Sequence, residues 1–280
     1  VGTPDLVVVS EGSSSATRKA LGIQSAVTSP EERIIAGIVG KASGGRAALK
    51  YADSKKADGS TERILSMALG SVKSDRTWVL TEVKEDFSFD PGPGLDPASE
   101  EYRKAQQGLI EQHFRAEAAL VMETDVSDAE LTGPFEGSQP TMFTLQQRMS
   151  DRATAGANVV GLGDFVGAGH FIVGGGMATA AVSHVERLKS LVFDLELGVD
   201  KGAALSKYNQ GALEDTMAWG RRGISEFYPD VEPKKVTEAW VQAVRGWIDG
   251  KNKDPLAALE KLLAPVSEAL PPIGKPATAA

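Results

Sequence analysis

Two short stretches of this 280-residue chain carry residues whose types and spacing suit ligand chemistry. Near the start, the apolar run Leu6, Val7, Val8, Val9 leads into Glu11 and Gly12, then through Ser13, Ser14 and Ser15 to Arg18. About 150 residues further on, a spacing wide enough to hold an inserted domain, come Gly161, Gly163 and Asp164, and then Gly174, Gly175, Gly176 and Met177. A carboxylate at the end of a strand accepts hydrogen bonds from the hydroxyls of a sugar or sugar-like chain. A glycine loop that feeds a helix N-terminus lets backbone N–H groups and the positive helix end approach an electron-rich ligand edge. Asp164 is the candidate for the first role, and Gly174 to Met177 for the second.

Other chemistries find less support. Gly161, Gly163 and Gly167 have the look of a nucleotide fingerprint, but residues 165–173 lack the helix that such a motif opens. His170 lies inside the glycine loop and can approach a ligand, which makes it the one candidate for acid–base work. His113 and His184 fall on helical stretches and suit packing or surface roles. Three scattered histidines without paired ligand spacing, in a chain with no cysteine, give no metal site, no disulfide and no thiol nucleophile. Nothing resembling a serine-centred elbow surrounds Ser13 to Ser15. A net charge of −8 without a cluster of Lys and Arg excludes nucleic acid as the expected partner. No apolar run is long enough to cross a bilayer and no signal peptide is present, so a cytoplasmic location is expected.

The elements that must position these residues follow from periodicity. Residues 5–10 read as a strand entering a Gly/Ser turn, and residues 16–21 as a helical turn. Strands are expected at 34–39, 47–51, 64–72 and 77–83, with Ser43, Gly44 and Gly45 as a hairpin-like break, giving an antiparallel meander. After the turn-rich stretch 89–97, Asp96 or Ser99 can cap a helix over 100–116 that turns Tyr102, Leu109, Ile110 and Phe114 inward. A strand at 143–149 and a buried one at 158–162 precede the second motif. Ala180, Ala181, His184, Val185, Leu188, Leu191, Val192 and Leu195 then recur at helical spacing over 177–197. Further helices are expected over 201–227, 234–250 and 255–263, with Trp219, Trp240 and Trp247 as packing anchors, and a disordered Pro/Ala-rich tail from Pro271.

In this order the two motifs resemble those of the group A flavoprotein monooxygenases, the para-hydroxybenzoate hydroxylase type. Glu11, Gly12, Ser15 and Arg18 match that family's D-G-x-x-S-x-x-R pattern with Glu for Asp. Gly163 and Asp164 match its G-D motif, followed by the loop Gly174, Gly175, Gly176 and the helix from Met177. The stretch from Gln147 to Arg152 resembles the family's approach to that motif. The resemblance implies a mixed α/β fold: a Rossmann-like FAD-binding portion, a β-sheet substrate domain and a helical C-terminal region. The implied domains are 1–22 and 151–198 for FAD binding, 23–150 for substrate, 199–270 as the helical region and 271–280 as the tail. FAD is the implied cofactor, with NAD(P)H as a transient reductant and an aromatic or polyketide-like small molecule as substrate. Asp164 is implied to meet ribityl or ribose hydroxyls, Gly174 to Met177 the flavin ring, and Glu11 and Arg18 the link between the flavin and pyrophosphate regions. A G-x-G-x-x-G segment is the implied partner, on a missing N-terminal segment or a second chain. The loop departs from the family in having no proline between Gly167 and Gly176. That leaves open an FAD-dependent cyclase or isomerase with a structural flavin, and a flavin-free binding or scaffold protein.

Overall fold

The computed structural model describes residues 4–45, 47–56, 59–171 and 175–267, and for 265–267 the backbone alone. Gly174 and the tail from Pro271 lie outside the described residues. The architecture is mixed α/β and divides into two compact units, one made of Val1–Pro30 with Gln146–Ala280, the other of Glu31–Leu145.

The first unit opens with strand β1 (Val7–Val9), helix α1 (Ala16–Ala20) and strand β2 (Ser25–Val27). The chain then builds the second unit from β3 (Glu32–Val39), β4 (Ala47–Lys55), β5 (Thr61–Gly70), β6 (Thr77–Val83), helix α2 (Glu100–Met122), β7 (Leu131–Thr132) and β8 (Thr141–Leu145). These strands form one sheet in the order β4-β5-β6-β3-β7, with β8 also paired to β3. The expected meander therefore holds for β4 to β6, but the turn at Gly44 and Gly45 is no hairpin. It carries the chain across the sheet, because β3 pairs antiparallel with β6 and β8 rather than with β4. One outcome is that Glu32, at the start of this sheet, lies opposite Leu145 at its end.

Helix α2 begins where Ser99 accepts the Tyr102 N–H at 3.0 Å, with Glu100 and Glu101 complementing the helix dipole in its first turn. It runs six residues beyond the expected end and buries Ile110, Phe114, Ala118 and Val121 against Ile35, Val39, Ala68, Val79 and Val83. Tyr102 and Leu109 are only half-buried. Phe114 sits so close to the sheet that a Cβ on Gly37 would lie 2.6 Å from its ring. That contact requires glycine in a strand where it otherwise weakens pairing.

The return segment supplies β9 (Arg148–Ser150), β10 (Thr154–Ala155), β11 (Val159–Gly161) and β12 (Gly167–Ala168). The single strand expected over 143–149 is thus two, β8 and β9, broken at Gln146 and Gln147 and belonging to different units. β2 and β12 flank β9, while β11 pairs parallel with β1 and antiparallel with β10. Helical structure then fills the rest: α3 (Gly175–Ala178), a π-helical turn (Thr179–His184), α4 (Val185–Glu196), α5 (Lys201–Gly223), α6 (Pro233–Ile248) and α7 (Pro255–Ser267). Their core joins Val160, Phe165, Leu191, Tyr208, Ile224, Trp240 and Leu259. Tyr208 donates to the Gly161 carbonyl at 2.7 Å and the Trp240 indole to the Thr28 carbonyl at 2.9 Å, which ties α5 to β11 and α6 to the segment after β2. No described helix is long and apolar enough to cross a membrane.

Crowding at Gly37 makes a test of the second unit's packing. Gly37→Ala is expected to cost about 1–3 kcal/mol in chemical denaturation, the usual range for overpacking. Combining it with Phe114→Leu should cost less than the two single changes summed, since the smaller side chain vacates the space the new methyl needs.

Candidate ligand site at the end of a parallel strand pair

Parallel pairing of β1 with β11 brings the two motifs together. The register sets Val7 opposite Val159 and Val9 opposite Gly161, and the Leu162 N–H continues the ladder to the Val9 carbonyl at 2.9 Å. Both chains leave the sheet at their carboxyl ends, one into Glu11-Gly12 and the other into Gly163-Asp164. In open α/β sheets this is the end at which ligands bind.

On the first side, Gly12 takes φ +81°, a backbone turn that favours glycine. The turn lets Glu11 reach forward over α1. Its carboxylate accepts from the Ser15 hydroxyl at 2.7 Å, the Thr17 hydroxyl at 2.6 Å and the Thr17 N–H at 3.2 Å. The Thr17 hydroxyl, then Ser15 and the Thr17 N–H, hold this carboxyl below its ordinary pKa. Ser15 in turn caps the helix by accepting the Arg18 N–H at 2.9 Å. Glu11 is thus occupied within its own turn, and what the geometry gives it is control of the helix start.

Arg18 is buried and crosses to the second motif. Its guanidinium donates to the Phe165 carbonyl at 3.1 Å, to the Asp164 carbonyl at 3.4 Å and to the Ser13 carbonyl, and lies 6.0 Å from the centre of the Phe165 ring. Burial and the nearby Arg148 lower its pKa from an ordinary value far above neutrality, and a guanidinium stays charged throughout. Three carbonyls from two loops converge on one planar cation, an arrangement that a lysine ammonium cannot reproduce.

On the second side, Gly163 takes φ +59° as the chain turns out of β11 into a short 3-10 turn over Gly163–Phe165. Gly161 is needed for a different reason, since a Cβ there would collide with the Phe165 ring. Asp164 follows with its side chain open to solvent. The surrounding protein still raises its pKa through desolvation, and the carboxylate has no hydrogen-bond or ion-pair partner among the described residues. An acceptor held beside a glycine turn and left unengaged fits a polyhydroxyl ligand.

Gly175 and Gly176, expected in the loop before a helix from Met177, are already helical, with Met177 in the same short helix. Gly175 and Gly176, with Gly169, face the Trp219 indole: a Cβ at Gly169 would lie 2.8 Å from it, at Gly176 3.1 Å, and at Gly175 closer still. These glycines therefore admit α5 to the loop, a close packing that their sequence context did not announce. Met177 points outward with 77% of its surface exposed. His170 is fully buried, stacked on Phe171 at 4.7 Å and edge-on to Phe227 at 5.3 Å, with its carbonyl accepting from the Trp219 indole at 3.4 Å.

His184 is the residue that sequence reasoning passed over. It is buried, and its Nδ1 accepts the Gly163 N–H at 3.0 Å. The signal was a lone histidine on an otherwise apolar helix face, which periodicity alone cannot distinguish from packing. Burial keeps its pKa below the ordinary 6.5, outweighing the upward pulls of the Ala212 carbonyl and Asp215.

No family model and no curated protein matches the chain. Solved structures do. The p-nitrophenol 4-monooxygenase PnpA from Pseudomonas putida DLL-E4 superposes with a TM-score of 0.55 at 15% identity, over 94% of this chain and 58% of that one. PqsL from Pseudomonas aeruginosa, described as a probable FAD-dependent monooxygenase, gives 0.53 at 19% identity over 81% and 57%. The flavin-dependent halogenase CmlS gives 0.52 at 13% identity over 95% and 50%. This chain has their fold. It spans between half and three-fifths of the length of each.

Two measurements test the site's construction. Arg18→Lys is expected to lower the unfolding free energy by about 2 kcal/mol, the worth of charge-assisted hydrogen bonds lost to buried carbonyls. The pH dependence follows from His184, whose folded pKa lies below its unfolded one. The stability it contributes is complete above pH 6.5 and is lost as the pH falls from there towards the folded value, because only the unfolded chain takes up the proton. Melting temperatures should fall below pH 6.5, and less so in His184→Asn.

Proposed function

We propose that this chain is the downstream portion of an FAD-dependent monooxygenase that hydroxylates an aromatic or polyketide-like small molecule. The observation that carries the reading is the unengaged Asp164 carboxylate at the open end of the β1–β11 pair, beside the turn at Gly163. Its chemistry is that of an acceptor for ribityl or ribose hydroxyls. FAD, when bound and reduced by NAD(P)H, would supply the oxygen-activating chemistry. The chain's own residues do the rest: Asp164 orients the polyol, Arg18 locks the two loops so that the acceptor stays in place, and the N–H groups at the start of the helical stretch from Gly175 present partial positive charge to the ring edge. Glu11 acts on this site through α1.

A dinucleotide-binding segment carrying G-x-G-x-x-G, on the same polypeptide or on a second chain, completes the reading. Two features of the first unit support it. Among the described residues β1 pairs with β11 alone, leaving a sheet edge with Val8 exposed. Met177, Val182, Phe193 and Leu197 also leave more than half of their surfaces in solvent.

The direct test is titration with FAD, in the presence of such a segment, followed by flavin fluorescence. Asp164→Ala is expected to weaken binding about tenfold to hundredfold, the range for a hydrogen bond to a charged group. Unchanged affinity would remove Asp164 from the site. Substrate-stimulated oxygen uptake with NAD(P)H consumption is expected of a monooxygenase, and bound FAD without turnover would assign the flavin a structural role.

A further inference from the structure

The hydrogen bonds around His184 determine where its proton lies. A backbone N–H only donates, so Nδ1, which accepts from Gly163 at 3.0 Å, carries no proton. On the far side Nε2 lies 3.1 Å from the Ala212 carbonyl, which only accepts, so Nε2 carries it. Thr216 supports the same arrangement: its hydroxyl donates to the Ala212 carbonyl at 2.8 Å and leaves its lone pairs towards Nε2, 3.2 Å away. The imidazole is a neutral bridge from α5 to the turn after β11, with one tautomer specified at both ends.

The helix is distorted where this bridge is made. In a regular α-helix the residues sharing the inward face of Thr179 are three and four positions on. Ser183 is only half-buried and Val182 is exposed, whereas Thr179 and His184, five apart, are both buried. The π-helical turn Thr179–His184 supplies that five-residue step and delivers the ring to Gly163. Such turns are uncommon and concentrate at functional sites. Crowding acts from the same turn, since a Cβ on Gly163 would lie 3.1 Å from the Ala180 Cβ.

We infer that His184 is a positioning residue for the flavin site: by accepting the Gly163 N–H through Nδ1 it holds the Gly163-Asp164 turn in the conformation that presents the Asp164 carboxylate to the ligand. The inference rests on the flavin reading for its ligand, but the latch itself is a property of the chain. Without Nδ1 the buried Gly163 N–H has no acceptor, and the turn relaxes to find one. Asparagine carries an acceptor oxygen close to where Nδ1 stands, so it keeps the latch, and leucine removes it.

Three measurements on the full chain, those with FAD made in the presence of the dinucleotide-binding segment, test this. In nitrogen-15 spectra of histidine-labelled wild type, His184 should show a bare Nδ1 and a protonated Nε2. The opposite tautomer would overturn the inference without any substitution. In His184→Leu the Gly163 amide should exchange with solvent at least about tenfold faster, and the FAD dissociation constant should rise about tenfold. His184→Asn should return both to within about threefold of wild type. Unchanged Gly163 exchange and FAD affinity in His184→Leu would overturn it, as would failure of asparagine to restore either one. If the wild type binds no FAD even in the presence of that segment, the flavin reading fails by itself, and the tautomer with Gly163 exchange still decides the latch.

Discussion

Two three-residue strands joined in parallel, β1 and β11, bring the two motifs of the first unit together. They lie about 150 residues apart in sequence, and everything proposed for the ligand site follows from their meeting. A ladder of this length contributes little alone, and parallel pairs are slightly the weaker kind. It is supported from the sides instead. The Tyr208 hydroxyl fastens the Gly161 carbonyl from α5, and the Arg18 guanidinium clamps the loops that leave the two strands. The consequence is a pair of loops whose backbones are tied to one another, while the Asp164 carboxylate has no partner among the described residues.

Periodicity read the elements well where one face is apolar and the other polar. β6 matched its expected limits, and β3 and β5 were found within a few residues of theirs. It read connectivity poorly. Nothing at Gly44 or Gly45 distinguishes a hairpin from a crossover, because both need glycine at positive φ. Gln146 and Gln147 interrupt a stretch that otherwise alternates like one strand, so the passage from β8 to β9 was hidden. The helix after the glycine loop was legible as a helix, but its π turn was not. The expected inward set included Ala181 and Val192, which are exposed, because an i, i+3, i+4 template has no place for a five-residue step.

At the site, glycine was legible as a need without a reason. Gly12 and Gly163 satisfy backbone conformation, Gly161 makes room for Phe165, and Gly169, Gly175 and Gly176 make room for Trp219. One residue type thus answers three different demands, which the sequence alone does not separate. Glu11 shows the converse. Its match to an acidic motif position was visible, while its engagement by Ser15 and Thr17 depended on how the turn closes.

The antiparallel partnership of Glu32 with Leu145 bears on how such a discontinuous unit assembles at all. Closing a flexible loop of about 150 residues costs roughly 4 kcal/mol in chain entropy. When residues 31–145 have already folded, their two ends stand side by side and the inserted sheet no longer counts as slack. The span left to close between β1 and β11 is then only the two flanking segments, which lowers that entropy cost by about 1 kcal/mol. The second unit, with its contiguous chain, is placed to form first and to deliver β11 to a waiting β1. In that sense the sheet that interrupts the first unit also acts as the template for its closure.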